Sequence, residues 1–129
     1  MHPGTENGGQ ADDSHLLGIE GQKLCEKFLK KKGCKFVARN FLCKTGEIDL
    51  IMAEPDGTVV FVEVKTRSSE AYADAESSIT KAKQVRMTRA ANFFIRKHKL
   101  ENFPLRFDVV LVIACENGKP EIRHYISAF

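Results

Sequence analysis

Two strongly apolar segments joined by a turn constrain the fold of this chain most tightly. They cover residues 46–53 and 58–66, and Pro55-Asp56-Gly57 between them is a typical turn sequence. The second segment is apolar on both faces of a strand, which is typical of the centre of a sheet. The pattern therefore predicts two strands that lie side by side, one of them in the middle of the sheet.

Charged residues interrupt these apolar segments. Asp49 lies in the first, and Glu63 and Lys65 lie in the second. Residues two apart on a strand share a face, so Glu63 and Lys65 point the same way. By the same rule Glu47 points with Asp49. If the two charged faces coincide, two carboxylates and an ammonium group meet at one end of the sheet.

Two carboxylates that lie close together repel each other unless a cation sits between them. Oxygen ligands of this kind favour Mg²⁺ or Mn²⁺. Such a metal can bind a phosphodiester oxygen and lower the pKa of a bound water. Lys65 would then orient that water or stabilise the developing charge. The alternative is an exposed Glu-x-Lys pair on a polar strand face, which carries no chemistry.

The rest of the chain predicts an α/β domain with a mixed central sheet flanked by helices. Helices are predicted over residues 17–32 and 78–99, and strands over 35–43, 46–53, 58–66, 106–115 and 120–126. We expect Ser77 or Ser78 to cap the second helix. Residues 1–15 have the composition of a disordered tail, which leaves 16–129 as a single domain.

The basic residues are concentrated in one segment. Net charge is only +3, yet residues 81–99 contain seven Lys and Arg and no Asp or Glu. A one-sided basic segment is expected where a protein binds a phosphate backbone, although a solvated helix face gives the same pattern. Lys83 and Arg86 fall on the apolar half of the predicted helix, near its start. Either this end of the helix faces a site, or it projects past the core.

Composition argues against a membrane protein and against zinc. The chain has no apolar run long enough to span a bilayer and no apolar signal-peptide core at its start, so we expect a soluble, cytoplasmic protein. Its four cysteines form no CxxC pair and have no histidine at zinc-finger spacing. Small thiols without a metal are the simpler interpretation.

Several short motifs resemble one known family. In chain order they are LGIEGQ at Leu17, ARN at Ala38, GEIDLI at Gly46, VFVEVKTRS at Val60, KQ at Lys83 and RFDVV at Arg106. In this order and spacing they resemble the YraN family of small bacterial proteins. That family is placed in the restriction-endonuclease-like superfamily with the PD-(D/E)XK pattern, which is similar to Holliday-junction resolvases in size and core layout.

The resemblance implies an αβββαβ nuclease core with a metal site. It implies that Asp49 and Glu63 bind the metal and that Lys65 is the catalytic lysine. At Gln22 the family usually has a glutamate, which related nucleases use as a further ligand. A glutamine oxygen can still ligate a metal or its water, but without charge. Glu47 is a weaker candidate ligand on the same strand face as Asp49.

We therefore expect a Mg²⁺- or Mn²⁺-dependent endonuclease acting on DNA, with branched or structured DNA as a candidate substrate. Arg67, Lys83, Gln84 and Arg86 would contact the nucleic acid, and a homodimer would suit the cutting of junctions. One alternative is a non-catalytic nucleic-acid-binding protein that retains the fold, which Gln22 favours. Another is a protein-interaction domain in which the charged residues form a structural cluster. Asp108 either supports the site or forms a structural ion pair.

Overall fold

The computed structural model describes residues 18–68, 79–115 and 118–129. Within these ranges two helices flank a five-stranded sheet, which confirms the predicted mixed α/β class. The elements are α1 (residues 18–31), β1 (Lys35–Cys43), β2 (Gly46–Ala53), β3 (Val59–Arg67), α2 (Lys81–Lys97), β4 (Leu105–Ile113) and β5 (Glu121–Tyr125). The predicted tail over residues 1–15 lies outside the described residues.

The five strands lie in chain order across the sheet, β1-β2-β3-β4-β5. All neighbouring pairs are antiparallel except β3 and β4, which are parallel. A parallel pair needs a long crossover, and α2 lies in the segment that connects these two strands. Strands β2 and β3 lie side by side as predicted, with Leu50 opposite Val62 and Ala53 opposite Val59.

Among the described residues, the sheet separates two large apolar cores, each covered by one helix, and Leu111 and Ile113 form a smaller third cluster. On the α2 side, Met87 and Phe94 pack in one cluster with Phe61. On the α1 side, Cys25 and Leu29 pack in a second cluster. Strand β3 contributes to both clusters, as its doubly apolar sequence predicted.

Side-chain alternation along β2 breaks at Asp49, and here the prediction was wrong. The rule that residues two apart share a face puts Ile48 on the same side as Leu50, but Ile48 packs with Ile51 on the α2 side, and Leu50 packs on the α1 side. The β2–β3 register ends at Leu50 and Val62. Beyond it, the Asp49 carboxylate accepts a hydrogen bond from the Val64 backbone N–H at 2.9 Å. A side chain thus replaces the regular ladder at this point, and the strict alternation is lost.

Helix α2 begins later than predicted. Its N-cap is Thr80, whose hydroxyl accepts a hydrogen bond from the Lys83 backbone N–H at 3.2 Å. The predicted caps Ser77 and Ser78 lie outside the described residues. Arg86, expected on the apolar half of the helix, is exposed, because the buried stripe is narrower than half of the circumference. Neither helix, over its described length, is long and apolar enough to cross a membrane.

Candidate functional site

Asp49 and Glu63 meet where strands β2 and β3 separate. Both acids lie one residue beyond the last paired residues, Leu50 and Val62, and their side chains are close enough to interact. Asp49 is held by the Val64 N–H, and Glu63 is only 6% exposed. A carboxylate is seldom buried to this extent without a partner, so the location itself marks a special site.

The pKa of Asp49 reflects this crowding. Burial is the main reason that it rises from 3.8 to about 7, and the neighbouring Glu63 raises it further. The Val64 N–H acts in the opposite direction, because it stabilises the ionised form. Two carboxylates in one partly dry site thus hold less than two full negative charges near neutral pH.

A lysine of helix α2 places a positive charge beside these two acids. Lys83 Nζ lies 2.9 Å from Glu63 Oε2. Burial by itself lowers the pKa of Lys83, but the hydrogen bond to Glu63 and the attraction of Glu63 and Asp49 outweigh it and raise that pKa. Lys83 lies in the first turn of α2, where the Thr80 cap fixes the start of the helix. Lys83 stays a predicted nucleic-acid contact, and the structure adds its pairing with a carboxylate, which the sequence did not predict.

These groups line a cleft of about 980 Å³, here called the carboxylate cleft. It lies between the start of α1, the end of β3 and the start of α2. The predicted site residues on its wall are Gln22, Asp49, Glu63, Lys65, Arg67 and Lys83. Six residues from four elements therefore converge on a single cavity.

Gln22 reaches the carboxylate cleft because α1 packs closely on the end of β3. Gly21 is buried, and a Cβ atom at this position would overlap the hydroxyl of Thr66. Glycine thus permits a helix-to-strand distance at which a larger residue would clash with the Thr66 side chain. This close contact holds the next residue, Gln22, at the wall of the cleft.

Three predicted site residues lie elsewhere. Glu47 and Arg86 line a smaller neighbouring cleft of about 240 Å³, which also includes Lys83. Gln84 donates its side-chain N–H to the Ile79 carbonyl at 3.0 Å and does not line the carboxylate cleft. The sequence also missed Asn40, which does line it. Asn40 has a left-handed φ of 51°, which asparagine tolerates better than most residues, but no spacing rule connects it to Asp49.

Asp108 forms a structural ion pair, which is one of the two roles that the sequence left open for it. It is fully buried and is bound by Arg106 Nε at 3.0 Å, His124 Nε2 at 2.7 Å and the Ser127 backbone N–H at 3.0 Å. Arg106 also binds Glu54 at 2.9 Å. None of these five residues lines the carboxylate cleft.

The donor set suits an open metal site rather than a closed cage. Among the described residues no three His, Cys, Asp or Glu are grouped so that they could hold a metal. Mg²⁺, however, is commonly bound by one or two carboxylates and completes its shell with water and substrate phosphate. Asp49 and Glu63 supply such a pair, and the Gln22 amide lies on the same cleft. The residues present therefore fit Mg²⁺ or Mn²⁺, with Lys83 as a competing cation.

The span that carries this site also carries a family signature. The model of the family described as uncharacterised protein family UPF0102 matches residues 21–112. The chain belongs to this family. The match confirms the family-level resemblance seen in the sequence, and it includes both carboxylates, Lys65 and Lys83.

Several UPF0102 proteins are similar to the chain over most of its length. The one from Geotalea uraniireducens is 41% identical over 117 residues, covering 91% of each chain. The one from Pelotomaculum thermopropionicum is 36% identical over 120 residues, covering 92% of this chain and 99% of its own. The one from Caldicellulosiruptor saccharolyticus is 45% identical over 96 residues, covering 74% of this chain and 80% of its own.

Proposed function

We propose that this UPF0102 protein is a Mg²⁺- or Mn²⁺-dependent endonuclease of the restriction-endonuclease-like kind, acting on DNA. The observation that carries the proposal is the meeting of Asp49 and Glu63 at an open cleft that also contains Lys65, Arg67 and Lys83. Paired carboxylates surrounded by cations suit the hydrolysis of a phosphodiester, which needs both a metal and neutralisation of phosphate charge.

Asp49 and Glu63 would hold the metal, with the uncharged Gln22 oxygen as a weak additional ligand or a partner of bound water. When bound, the ion would supply Lewis-acid stabilisation of the phosphate and acidify a water molecule. The Val64 N–H fixes one oxygen of Asp49, so that the carboxylate is oriented before any ligand binds. Such preorganisation reduces the cost of assembling the site.

Lys65 and Arg67 would handle the substrate. Both follow Glu63 on β3 at spacings of two, and both line the carboxylate cleft. Lys65 would hold the attacking water in line and stabilise charge that develops on the phosphate. Arg67 would bind a neighbouring phosphate, for which its planar guanidinium is well suited. Contacts of this kind carry no sequence information, so we expect selection by DNA structure rather than by sequence.

The direct test is cleavage of a panel of branched and linear DNAs with Mg²⁺ or Mn²⁺. Glu63→Gln and Lys65→Met should each lower the rate by at least about a hundredfold. Glu101→Gln, which changes an exposed acid away from the cleft, should cleave like the wild type. Melting curves show whether each variant is folded. Cleavage that persists in both site variants would identify a contaminating enzyme.

Cutting a four-way junction requires two active sites, and closed twofold dimers are the commonest way to supply them. We therefore propose that branched DNA, if it is the substrate, is cut by a homodimer. Sedimentation with and without a junction measures this directly. A monomer that cuts linear and branched DNA at equal rates would exclude junction specificity.

The second candidate is a non-catalytic nucleic-acid-binding protein with the same fold. The Lys83–Glu63 ion pair favours it, because Lys83 already neutralises part of the carboxylate charge without a metal. Gln22 favours it too, because the cleft lacks the acid that the resembled family usually has at this position. Divalent metal separates the candidates, since ligation by Asp49 and Glu63 should raise the melting temperature of the wild type. DNA binding with no metal-dependent shift and no cleavage would favour the binding protein.

A further inference from the structure

We propose that the groove between α1 and β1 is a second nucleic-acid-binding surface, along which a phosphate backbone reaches or leaves the carboxylate cleft. This α1–β1 groove has a volume of about 640 Å³. The inference rests on the proposed function, because it says where the DNA that is cleaved in the carboxylate cleft would lie outside that cleft. None of its charged residues was predicted as a contact from the sequence.

Positive charge dominates the α1–β1 groove. Its charged lining residues are Lys23, Glu26, Lys27, Lys30 and Arg39. On α1, residues 23, 27 and 30 follow the three- and four-residue spacing of one helix face, so their side chains form a row along the groove. A concave row of cations fits a phosphate backbone better than the same charges on a convex helix face do.

Glu26 cancels only part of this charge, because its single carboxylate is shared by two of the four cations. It pairs with Lys30 of the same helix at 2.8 Å. It also pairs with Arg39 of β1 at 3.1 Å, which links α1 to β1. It thereby holds both cations at the wall of the groove. Among the described residues, neither Lys23 nor Lys27 forms an ion pair. These two exposed ammonium groups are therefore available to phosphate.

The α1–β1 groove lies next to the carboxylate cleft. Ile19, Gln22 and Asn40 line both cavities. A nucleic-acid strand that runs from one cavity to the other would pass the side-chain amides of Gln22 and Asn40. These amides can form hydrogen bonds to phosphate or sugar oxygens without adding charge. The place of Gln22 at this crossing gives the residue a use that does not depend on metal ligation.

The basic face of α2 lacks this arrangement along most of its length. Arg89, Arg96 and Lys97 are exposed and line neither the carboxylate cleft nor the α1–β1 groove. They fit the solvated helix face that was the alternative interpretation of the basic segment. They also provide a matched control, because their neutralisation changes net charge without altering the α1–β1 groove.

The test compares two double variants of equal charge, Lys23→Gln/Lys27→Gln and Arg89→Gln/Lys97→Gln. Binding of a fluorescein-labelled single-stranded DNA is measured by anisotropy in EDTA over a range of salt. The first variant should lose roughly tenfold in affinity at physiological salt, and its log–log salt slope should fall by about 1.4. The second should stay within about twofold of the wild type, since it removes only long-range attraction. A duplex of the same sequence shows whether the groove prefers one strand or two.

Equal losses in both variants, a loss in the α2 variant alone, or no binding by the wild type would each overturn the proposal. Because metal is absent, the result is independent of catalysis. If the protein never cleaves DNA but binds it through Lys23 and Lys27, the nuclease proposal is wrong and the groove proposal stands. If cleavage depends on Glu63 but binding does not depend on Lys23 and Lys27, the groove proposal is wrong and the nuclease proposal stands.

Discussion

Lys83 Nζ lies 2.9 Å from Oε2 of Glu63, so one of the two acids proposed to hold a metal already has a cation beside it. The pair connects the first turn of α2 to the central strand β3. It forms across the carboxylate cleft, because both residues line that cavity. Any divalent metal that binds Glu63 must therefore compete with an ammonium group of this chain.

Neutralising Lys83 should have opposite effects on stability and on metal affinity. The Lys83→Gln variant leaves the buried Glu63 without its partner, which should cost about 1–3 kcal/mol of unfolding free energy in EDTA. The same change removes the competing cation, so the variant should bind Mn²⁺ more tightly. Urea denaturation and calorimetric titration measure the two effects.

Lys81 provides the control for this prediction, because it lies in the same helical turn and is exposed. Lys81→Gln should change the unfolding free energy by less than about 0.5 kcal/mol. If Lys83→Gln binds Mn²⁺ no better than Lys81→Gln does, Lys83 and the metal do not compete for Glu63.

Asp49 should make the metal-free protein less stable as the pH rises from about 4 to about 7. In the native protein this carboxyl keeps its proton up to about pH 7, whereas the unfolded chain loses it near pH 3.8. Between these values the native state binds more protons, so each rise in pH favours unfolding. Above pH 7 both states are ionised at Asp49, and its effect becomes constant.

The Asp49→Asn variant isolates this effect, because its amide oxygen can still accept the Val64 N–H. In EDTA it should be more stable than the wild type by about 2–4 kcal/mol at pH 8, and the difference should shrink towards pH 4. Urea denaturation at a series of pH values measures the difference. A difference that does not vary with pH would show that Asp49 ionises normally in the native state.

Gly21 should tolerate no side chain. A methyl group here would overlap the Thr66 hydroxyl, and moving α1 away from β3 should cost about 1–3 kcal/mol. Gly18→Ala is the control, because no atom of the described residues lies within 4 Å of a Cβ placed there. Thermal or urea unfolding should show a loss for Gly21→Ala alone, with partial recovery in Gly21→Ala/Thr66→Ala. Equal stability of the two alanine variants would show that α1 does not need this close contact.

Asp108 should be required for stability but not for metal binding. Burial alone raises its pKa, but hydrogen bonds from His124, Arg106 and the Ser127 N–H outweigh burial and lower that pKa. Its stabilising effect is therefore present above the ordinary range of an aspartate and is lost as the pH falls through the lowered pKa. Asp108→Asn should cost about 3–5 kcal/mol at pH 7, because it removes the charge of a fully buried carboxylate that pairs with Arg106.

Calorimetric titration of folded Asp108→Asn with Mn²⁺ should give the wild-type affinity. The exposed Asp56→Asn variant controls for the loss of one negative charge. A weaker Mn²⁺ affinity in Asp108→Asn, with no change in Asp56→Asn, would show that this buried network supports the site after all.

Local sequence pattern predicted most of the architecture. The strand predicted over 58–66 is Val59–Arg67, and the one over 106–115 is Leu105–Ile113. Such segments are recognisable because the period of their apolar residues is a property of a few neighbours. The same rule failed at Ile48, where a hydrogen bond between the side chain of Asp49 and the backbone of β3 interrupts the alternation. No period within β2 contains that information.

The sequence by itself determined the two apolar strands, the turn between them and the presence of acids at positions 49 and 63. Only the tertiary structure decided that Lys83 pairs with Glu63, that Gln84 binds a backbone carbonyl, and that Gln22 and Asn40 line two neighbouring cavities. The physical reason is range. Strand propensity and register depend on neighbouring residues, whereas the partner of a charged side chain is set by how helices pack on the sheet.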